Sequence, residues 1–300
     1  MNRIPFIAIA ATVAIATAAL STAGCSTATS GAPTAATSRT ATPLPHPVTY
    51  GPQVELPFGE LINHLAGVAV DAADNVYVLD SHYGRVWKMR AGTNEPAPLP
   101  FTGLGQALDA AVDAAGNLYV ADGFHHRVLK LAPGADSTVL PFGDLDVIAG
   151  VAVDTSGNVY VSDSGSKQVL KLAAGSTSPT ALPLNGIDPS GVAVDTNGNV
   201  YVVDSDGRRV LELAPTTGSP RVLPFSDLKQ PTDVTVDNSG NVYVVDFGAN
   251  RVLRLDAGAS SPTVLPFSNL KNPFSVAVDR EGDVYLNDSS HFRILKLPAR

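Results

Sequence analysis

Short apolar runs of four to six residues, separated by Gly, Asn, Asp, Ser and Pro, recur along most of this chain. In one stretch they read GVAVD (191–195), NVYVVD (199–204), RVLEL (209–213) and RVLPF (221–225). Runs this short, rich in valine and bounded by turn residues, predict β-strands and exclude solenoid helices. The Gly-Asn pairs between the first two runs tolerate the positive φ of a tight hairpin, so each set of four runs predicts an antiparallel meander. The runs are apolar on both faces, as expected of a sheet packed between two others.

The whole sentence is written six times. NVYVLDSHYGRVWKM begins at 75, NLYVADGFHHRVLKL at 117, NVYVSDSGSKQVLKL at 158, NVYVVDSDGRRVLEL at 199, NVYVVDFGANRVLRL at 241 and DVYLNDSSHFRILKL at 283. The aspartates that close the first runs, Asp71, Asp113, Asp154, Asp195, Asp237 and Asp279, are 41 or 42 residues apart. A period of this size holding four strands predicts an all-β, six-bladed propeller of four-stranded antiparallel blades. The small Ala and Gly of GVAV suit the crowded axis, which makes that strand the innermost. An L-P-F-type run precedes every V-x-V-D segment, from VELPF at 54 onward, and none follows RILKL at 293–297. The strand at 54–58 is therefore expected to complete the last blade and to remove its open edge.

The blade sentence V-x-V-D, G-N-V-Y-V-x-D, N-R-V-x-K-L resembles NHL repeats. Its L-P-F and V-A-V-D joints are similar to the extracellular sensor domain of mycobacterial receptor serine/threonine kinases of the PknD type. The resemblance covers residues 54–297 and implies a six-bladed propeller with a ligand-binding, cup-shaped face. No kinase accompanies it: the glycine-rich loop, V-A-I-K, H-R-D and D-F-G motifs are missing.

Upstream of the repeats the pattern changes. Residues 1–24 read as a signal peptide, with Arg3 near the start, an apolar run from Ile4 to Leu20 and small residues before Cys25. STAGC resembles a bacterial lipobox, which implies a diacylated Cys25 at the mature N-terminus, although Thr22 stands where leucine is usual. Cleavage after Ala16-Thr17-Ala18, giving a secreted protein, is the alternative. Residues 25–53 are expected to form a flexible Ser/Thr/Ala/Pro-rich tether with a reach of about 25–30 Å, and 54–300 the propeller. The expected location is thus the outer face of the cytoplasmic membrane, through a lipid anchor.

Composition narrows the function. The net charge of −8 becomes −9 without Arg3, and no basic stripe interrupts it, which excludes nucleic acid as a partner. The single cysteine, Cys25, rules out an internal disulfide. A monomer without cofactor or metal is expected.

Candidate chemistry falls into two groups. The first repeats: Asp80 with Arg85, Asp122 with Arg127, Asp204 with Arg209, Asp246 with Arg251 and Asp288 with Arg293 stand five residues apart at the end of the second strand. Five alike predict architecture, an aspartate accepting loop N–H bonds with a bidentate arginine beside it. Blade three has Gln168 instead, which marks its loop as the weak one. The D-x-x-G-N turns look like calcium loops but lack the further carboxylates, so they are read as hairpin turns.

The second group does not repeat, and function is expected there. His64, His82, Tyr83, Phe124, His125, His126, Phe247, Phe274, His291 and Phe292 all fall in the loops between strands two and three or in the segments between blades. A meander brings both sets to one face, so these residues predict a ligand- or partner-binding rim, with blades 1, 2 and 6 forming one continuous patch. The unspecified partner is an extracytoplasmic ligand or protein. The alternative is a metal-dependent lyase or lactonase of propeller architecture, a reading weakened by the rarity of glutamate and its absence from the innermost strands.

Overall fold

A computed structural model describes residues 48–300 apart from Asn63. Residues 1–47, and with them the expected signal peptide, Cys25 and most of the tether, lie outside the described residues. Six four-stranded antiparallel sheets follow one another in chain order. The first blade comprises β2 (Leu65–Val70), β3 (Val76–Asp80), β4 (Arg85–Met89) and β5 (Ala97–Pro98). The next four blades repeat it from β6 (Ala107–Val112) to β21 (Thr263–Val264), and the sixth holds β22 (Pro273–Val278), β23 (Val284–Asp288) and β24 (Arg293–Leu297). Each innermost strand touches those of both neighbouring blades, the last touching the first, so the ring is closed.

The missing outer strand of the sixth blade is β1 (Val54–Leu56), as the register of the repeats requires. Val54, Glu55 and Leu56 lie opposite Lys296, Leu295 and Ile294. The seam extends upstream of Val54, into the expected tether: Gly51 N donates to Pro298 O at 2.7 Å and Arg300 N to Thr49 O at 2.8 Å. The same segment also ties to the fifth blade, where Ser268 N donates to Gln53 Oε1 at 2.9 Å and Arg254 Nη1 to the Tyr50 hydroxyl at 3.3 Å.

The core lies between blades. Each apolar cluster draws on adjacent sheets, for example Val203 and Val210 with Val244 and Leu253, and at the seam Phe58, Val78 and Trp87 with Ala277, Tyr285 and Ile294. This two-sided burial explains why the second strands read as unbroken apolar runs.

The turn aspartates hold the lower face, where strands one and two are joined. Asp71 Oδ1 accepts from Ala73 N at 2.9 Å and Asn75 N at 3.0 Å, and Oδ2 from Asn75 Nδ2 at 2.8 Å and the Tyr77 hydroxyl at 2.9 Å. Asn75 Oδ1 in turn accepts from Ala91 N at 3.1 Å, tying the next hairpin. The arrangement recurs around Asp113, Asp154, Asp195 and Asp237. Their carboxylates serve the turns, in agreement with the hairpin reading. Among the described residues no helix is long and apolar enough to cross a membrane.

Candidate functional site

On the upper face the second-strand aspartates are almost wholly buried, between 0% and 2% exposed. Asp122 shows why they are tolerated there: Oδ1 accepts from Gly105 N at 3.0 Å, and Oδ2 from Arg127 Nε at 2.9 Å. Arg127 Nη2 donates to Gly103 O at 2.7 Å, clamping the segment that arrives from the previous blade. In blade five, Arg251 Nε donates to Asp246 Oδ2 at 3.0 Å and Arg251 Nη2 to Asp227 O at 3.0 Å. In blade six, Arg293 Nε donates to Asp288 Oδ2 and Arg293 Nη2 to Asn269 O, each at 2.8 Å. Arg209 Nε meets Asp204 Oδ2 at 2.8 Å.

These contacts correct the expected bidentate pairing at Arg127, Arg209, Arg251 and Arg293. Each arginine gives its aspartate one hydrogen bond, from Nε, and Arg127, Arg251 and Arg293 spend Nη2 on a backbone carbonyl instead. The second carboxylate oxygen faces the loop backbone instead: Asp246 Oδ1 accepts from Lys229 N and Gln230 N, and Asp204 Oδ1 from Asp188 N and Gly207 N, which fills its two lone pairs.

Asp80 and Arg85 depart further from the pattern. Arg85 lies over the Tyr83 ring, 5.2 Å from its centroid, and Asp80 Oδ2 has no hydrogen-bond partner among the described residues. Among the described residues Asp80 Oδ1 accepts from the loop N–H groups of His82 at 3.1 Å and Tyr83 at 3.3 Å. The exposed tyrosine face competes for the guanidinium, so this pair is not formed. In blade three Asp163, without an arginine, accepts from Asp146 N, Val147 N and Ser166 N.

The residue four after each of these aspartates is left-handed in all six blades: Gly84, His126, Lys167, Arg208, Asn250 and Phe292. Only blade one uses glycine, because Leu104 O would lie 2.2 Å from a Cβ there. His126 and Phe292 occupy two of these left-handed positions, and both are exposed.

The predicted rim residues all reach the upper face, in separate groups. His64 and His82 stack with centroids 5.0 Å apart, His82 meets Tyr83 edge-on at 4.7 Å, and Phe124 meets His125 at 5.1 Å. His64, Ser81, His82, Gly105, Gln106 and Phe124 line a groove of about 500 Å³ between blades one and two. Phe247 and Phe274 form a second pair, 6.5 Å apart, on blades five and six. Tyr83, Phe124 and Phe292 are 52%, 70% and 50% exposed, which makes them available as contact groups.

The expected continuous patch over blades 1, 2 and 6 is not formed by ring contacts: among the described residues, none joins His291 or Phe292 to the rings of blades one and two. His125 Nδ1 lies 2.9 Å from Asp122 and His291 Nδ1 2.8 Å from Asp288, so these two brace the buried carboxylates. His126 Nδ1 contacts Asp146 O.

Sequence reasoning missed the centre of this face. Asp109 and Asp233 occupy the innermost strands of blades two and five, at the position that is Gly67, Gly150, Gly191 or Ser275 in the others. Both line the mouth of the axial channel, a cavity of about 230 Å³ walled by Leu108, Ile148 and Phe274. They also line the narrower channel below. Asp109 Oδ2 accepts from Val151 N on blade three, and Asp233 Oδ2 from Val276 N on blade six, each at 2.9 Å. Burial raises Asp109 well above the usual carboxylate range, helped by the negative charge of Asp233; burial lifts Asp233 to about 6. The signal was present in ALDAAVD and PTDVTVD, which break the G-V-A-V pattern, but a search for glutamate passes over it.

For metals, one group of converging ligand atoms occurs among the described residues, and it lies away from the rim. Asp74, Asp279 and Glu281 bring carboxylate oxygens within 4.8 Å of one another on the lower face.

A ring of six four-stranded antiparallel blades defines a six-bladed β-propeller. The NHL repeat matches residues 145–172 and 228–255, and a β-propeller repeat matches 181–203. No curated protein sequence matches the chain. Among solved structures, a streptogramin B lyase is 14% identical, covering 83% of this chain and 97% of its own, with a TM-score of 0.65. A gluconolactonase from Xanthomonas campestris is 15% identical over 84% and 99%, with a TM-score of 0.68. A nidogen/laminin complex is 22% identical over 71% and 84%, with a TM-score of 0.65. At these identities the likeness is one of fold.

Proposed function

We propose that this protein is an exported, lipid-anchored recognition propeller, similar in role to a receptor sensor domain, whose upper face binds an extracytoplasmic ligand or protein without catalysis of its own. One observation carries the reading. The exposed aromatic and histidine side chains and the groove they line lie at positions where the repeats disagree, whereas the repeated polar groups are engaged in turns and clamps. The polarity of the body supports it: Thr49 and Gly51, among the first described residues, pair with Pro298–Arg300 at the lower end of β24, on the face opposite the rim.

The test is replacement of Tyr83, Phe124 and Phe292 together by alanine. Capture of a partner from envelope extracts is expected to be lost, with stability unchanged to within about 1 kcal/mol, the scale of exposed sites. A variant that retains full capture, or that unfolds, overturns the reading.

The alternative, a propeller lyase or lactonase, draws support from one feature, the Asp109/Asp233 carboxylates at the channel mouth. A stoichiometric metal in the purified protein, together with ester or lactone turnover lost in Asp109→Asn, would favour it.

A further inference from the structure

We infer that the channel mouth is a subsite for a cationic nitrogen on an apolar stem, an alkylammonium group held between Asp109 and Asp233 with its hydrocarbon against Leu108, Ile148 and Phe274. The inference rests on the upper face being the recognition surface and names the chemistry its centre selects.

The fold makes room for both carboxylates. A Cβ on Gly67 would lie 3.3 Å from Asp109 Oδ1, and one on Gly191 would lie 2.6 Å from Asp233 Oδ1. Blades one and four therefore leave the space into which the aspartates of blades two and five lean. The innermost strands contact one another in chain order around the closed ring, so blades two and five are opposite and the two acids approach the axis from opposite sides.

Among the described residues no cationic side chain lines the mouth with them. The six innermost strands, Leu65–Val70, Ala107–Val112, Ile148–Val153, Pro189–Val194, Pro231–Val236 and Pro273–Val278, carry no titratable side chain besides these two. Elsewhere on the upper face the buried Asp122, Asp204, Asp246 and Asp288 each have an arginine. Asp109 and Asp233 are half-buried, and carboxylates partly withdrawn from water without a countercharge are costly, a cost relieved by a proton or by a cation entering from solvent.

The remaining polar groups favour a donor-rich visitor. Thr232 Oγ1 donates to Phe274 O at 2.9 Å and Ser190 Oγ to Thr232 O at 2.9 Å, while Ser275 directs its hydroxyl to Asp233. Their protons are engaged, so the mouth offers acceptors to whatever enters it. An ammonium, with three donors and no acceptor, complements such a floor. The cavity volume admits a group of side-chain size. Entry of the cation displaces the proton the pair retains, so affinity rises with pH until the amine itself loses its proton.

The probes are n-pentylammonium, its neutral counterpart 1-pentanol, and Nα-acetyl-lysine methylamide, titrated into the purified propeller by calorimetry and followed by the methyl resonances of Leu108 and Ile148. Pentylammonium is expected to bind at one site with those methyls shifted, tighter at higher pH, and more than about tenfold more weakly in either Asp109→Asn or Asp233→Asn. Asparagine preserves the acceptors for Val151 N and Val276 N, so both variants should remain folded. Binding of the lysine derivative as well would extend the subsite to a partner's lysine side chain, and binding of pentylammonium alone would assign it to a small amine. Equal binding of 1-pentanol, binding unchanged in both variants, or no binding overturns the inference. The rim triple variant separates the two readings: it should retain amine binding, and loss of partner capture alone concerns the rim.

Discussion

Val54 lies opposite Lys296 in an antiparallel pair, so the first strand of the body is the outermost strand of its last sheet. Deleting residues 54–58 would expose the β24 edge and remove Phe58 from the core between blades six and one. The expected outcome is loss of a single cooperative unfolding transition, or aggregation, read by calorimetry and light scattering. A small shift of an intact transition would show that the ring closes without this strand.

The clamps differ in worth from blade to blade. Asp204→Ala removes the acceptor of Asp188 N, Gly207 N and Arg209 Nε, and is expected to cost about 2–3 kcal/mol, the price of stranded buried donors. Arg85→Ala, in the blade whose pair is not formed, should change stability by less than about 0.5 kcal/mol. Urea unfolding of the two variants compares them directly, and equal losses would contradict the observed geometry.

Stability should depend on pH in two opposite ways. Asp109 and Asp233 bind protons more tightly when folded than when unfolded, so their contribution is fully present below the unfolded pKa of about 3.9. It is lost as pH rises through about 6 and beyond. Asp71, Asp113 and Asp154 are lowered by the hydrogen bonds of their turns, which outweigh burial, so their contribution is present above that value and lost as pH falls below it. Thermal midpoints measured across the acid-to-neutral range test this: the double variant Asp109→Asn/Asp233→Asn should remove the decline near pH 6 and leave the acid limb in place.

Anchoring is tested at Cys25. If this cysteine carries the lipid, Cys25→Ala should release the protein from membranes into the soluble fraction, because stable attachment needs two acyl chains and the alanine variant has none. Partition of the variant with detergent-phase lipoproteins would overturn the assignment.

The period, the strand order within each blade, the turn aspartates and the closure by residues 54–58 were all determined by the sequence alone. Each is a local pattern repeated six times, and a repeated local pattern states its own neighbours. The Asp71–Asn75–Tyr77 network spans only seven residues, and the strand at 54–58 was identifiable because the last repeat lacks its partner. The tertiary structure decided what depends on angle around the ring. It alone placed Asp109 and Asp233 together, two residues from non-adjacent blades whose interaction follows from the approach of their strands to one axis. It also turned Arg85 onto Tyr83 in place of Asp80, drew the second donor of Arg251 away from Asp246 to a carbonyl of the preceding segment, and divided the predicted rim into a groove on blades one and two and a phenylalanine pair on blades five and six. Loop residues of similar composition meet or miss one another through a few ångströms of rigid-body placement, and one-dimensional spacing does not encode that distance.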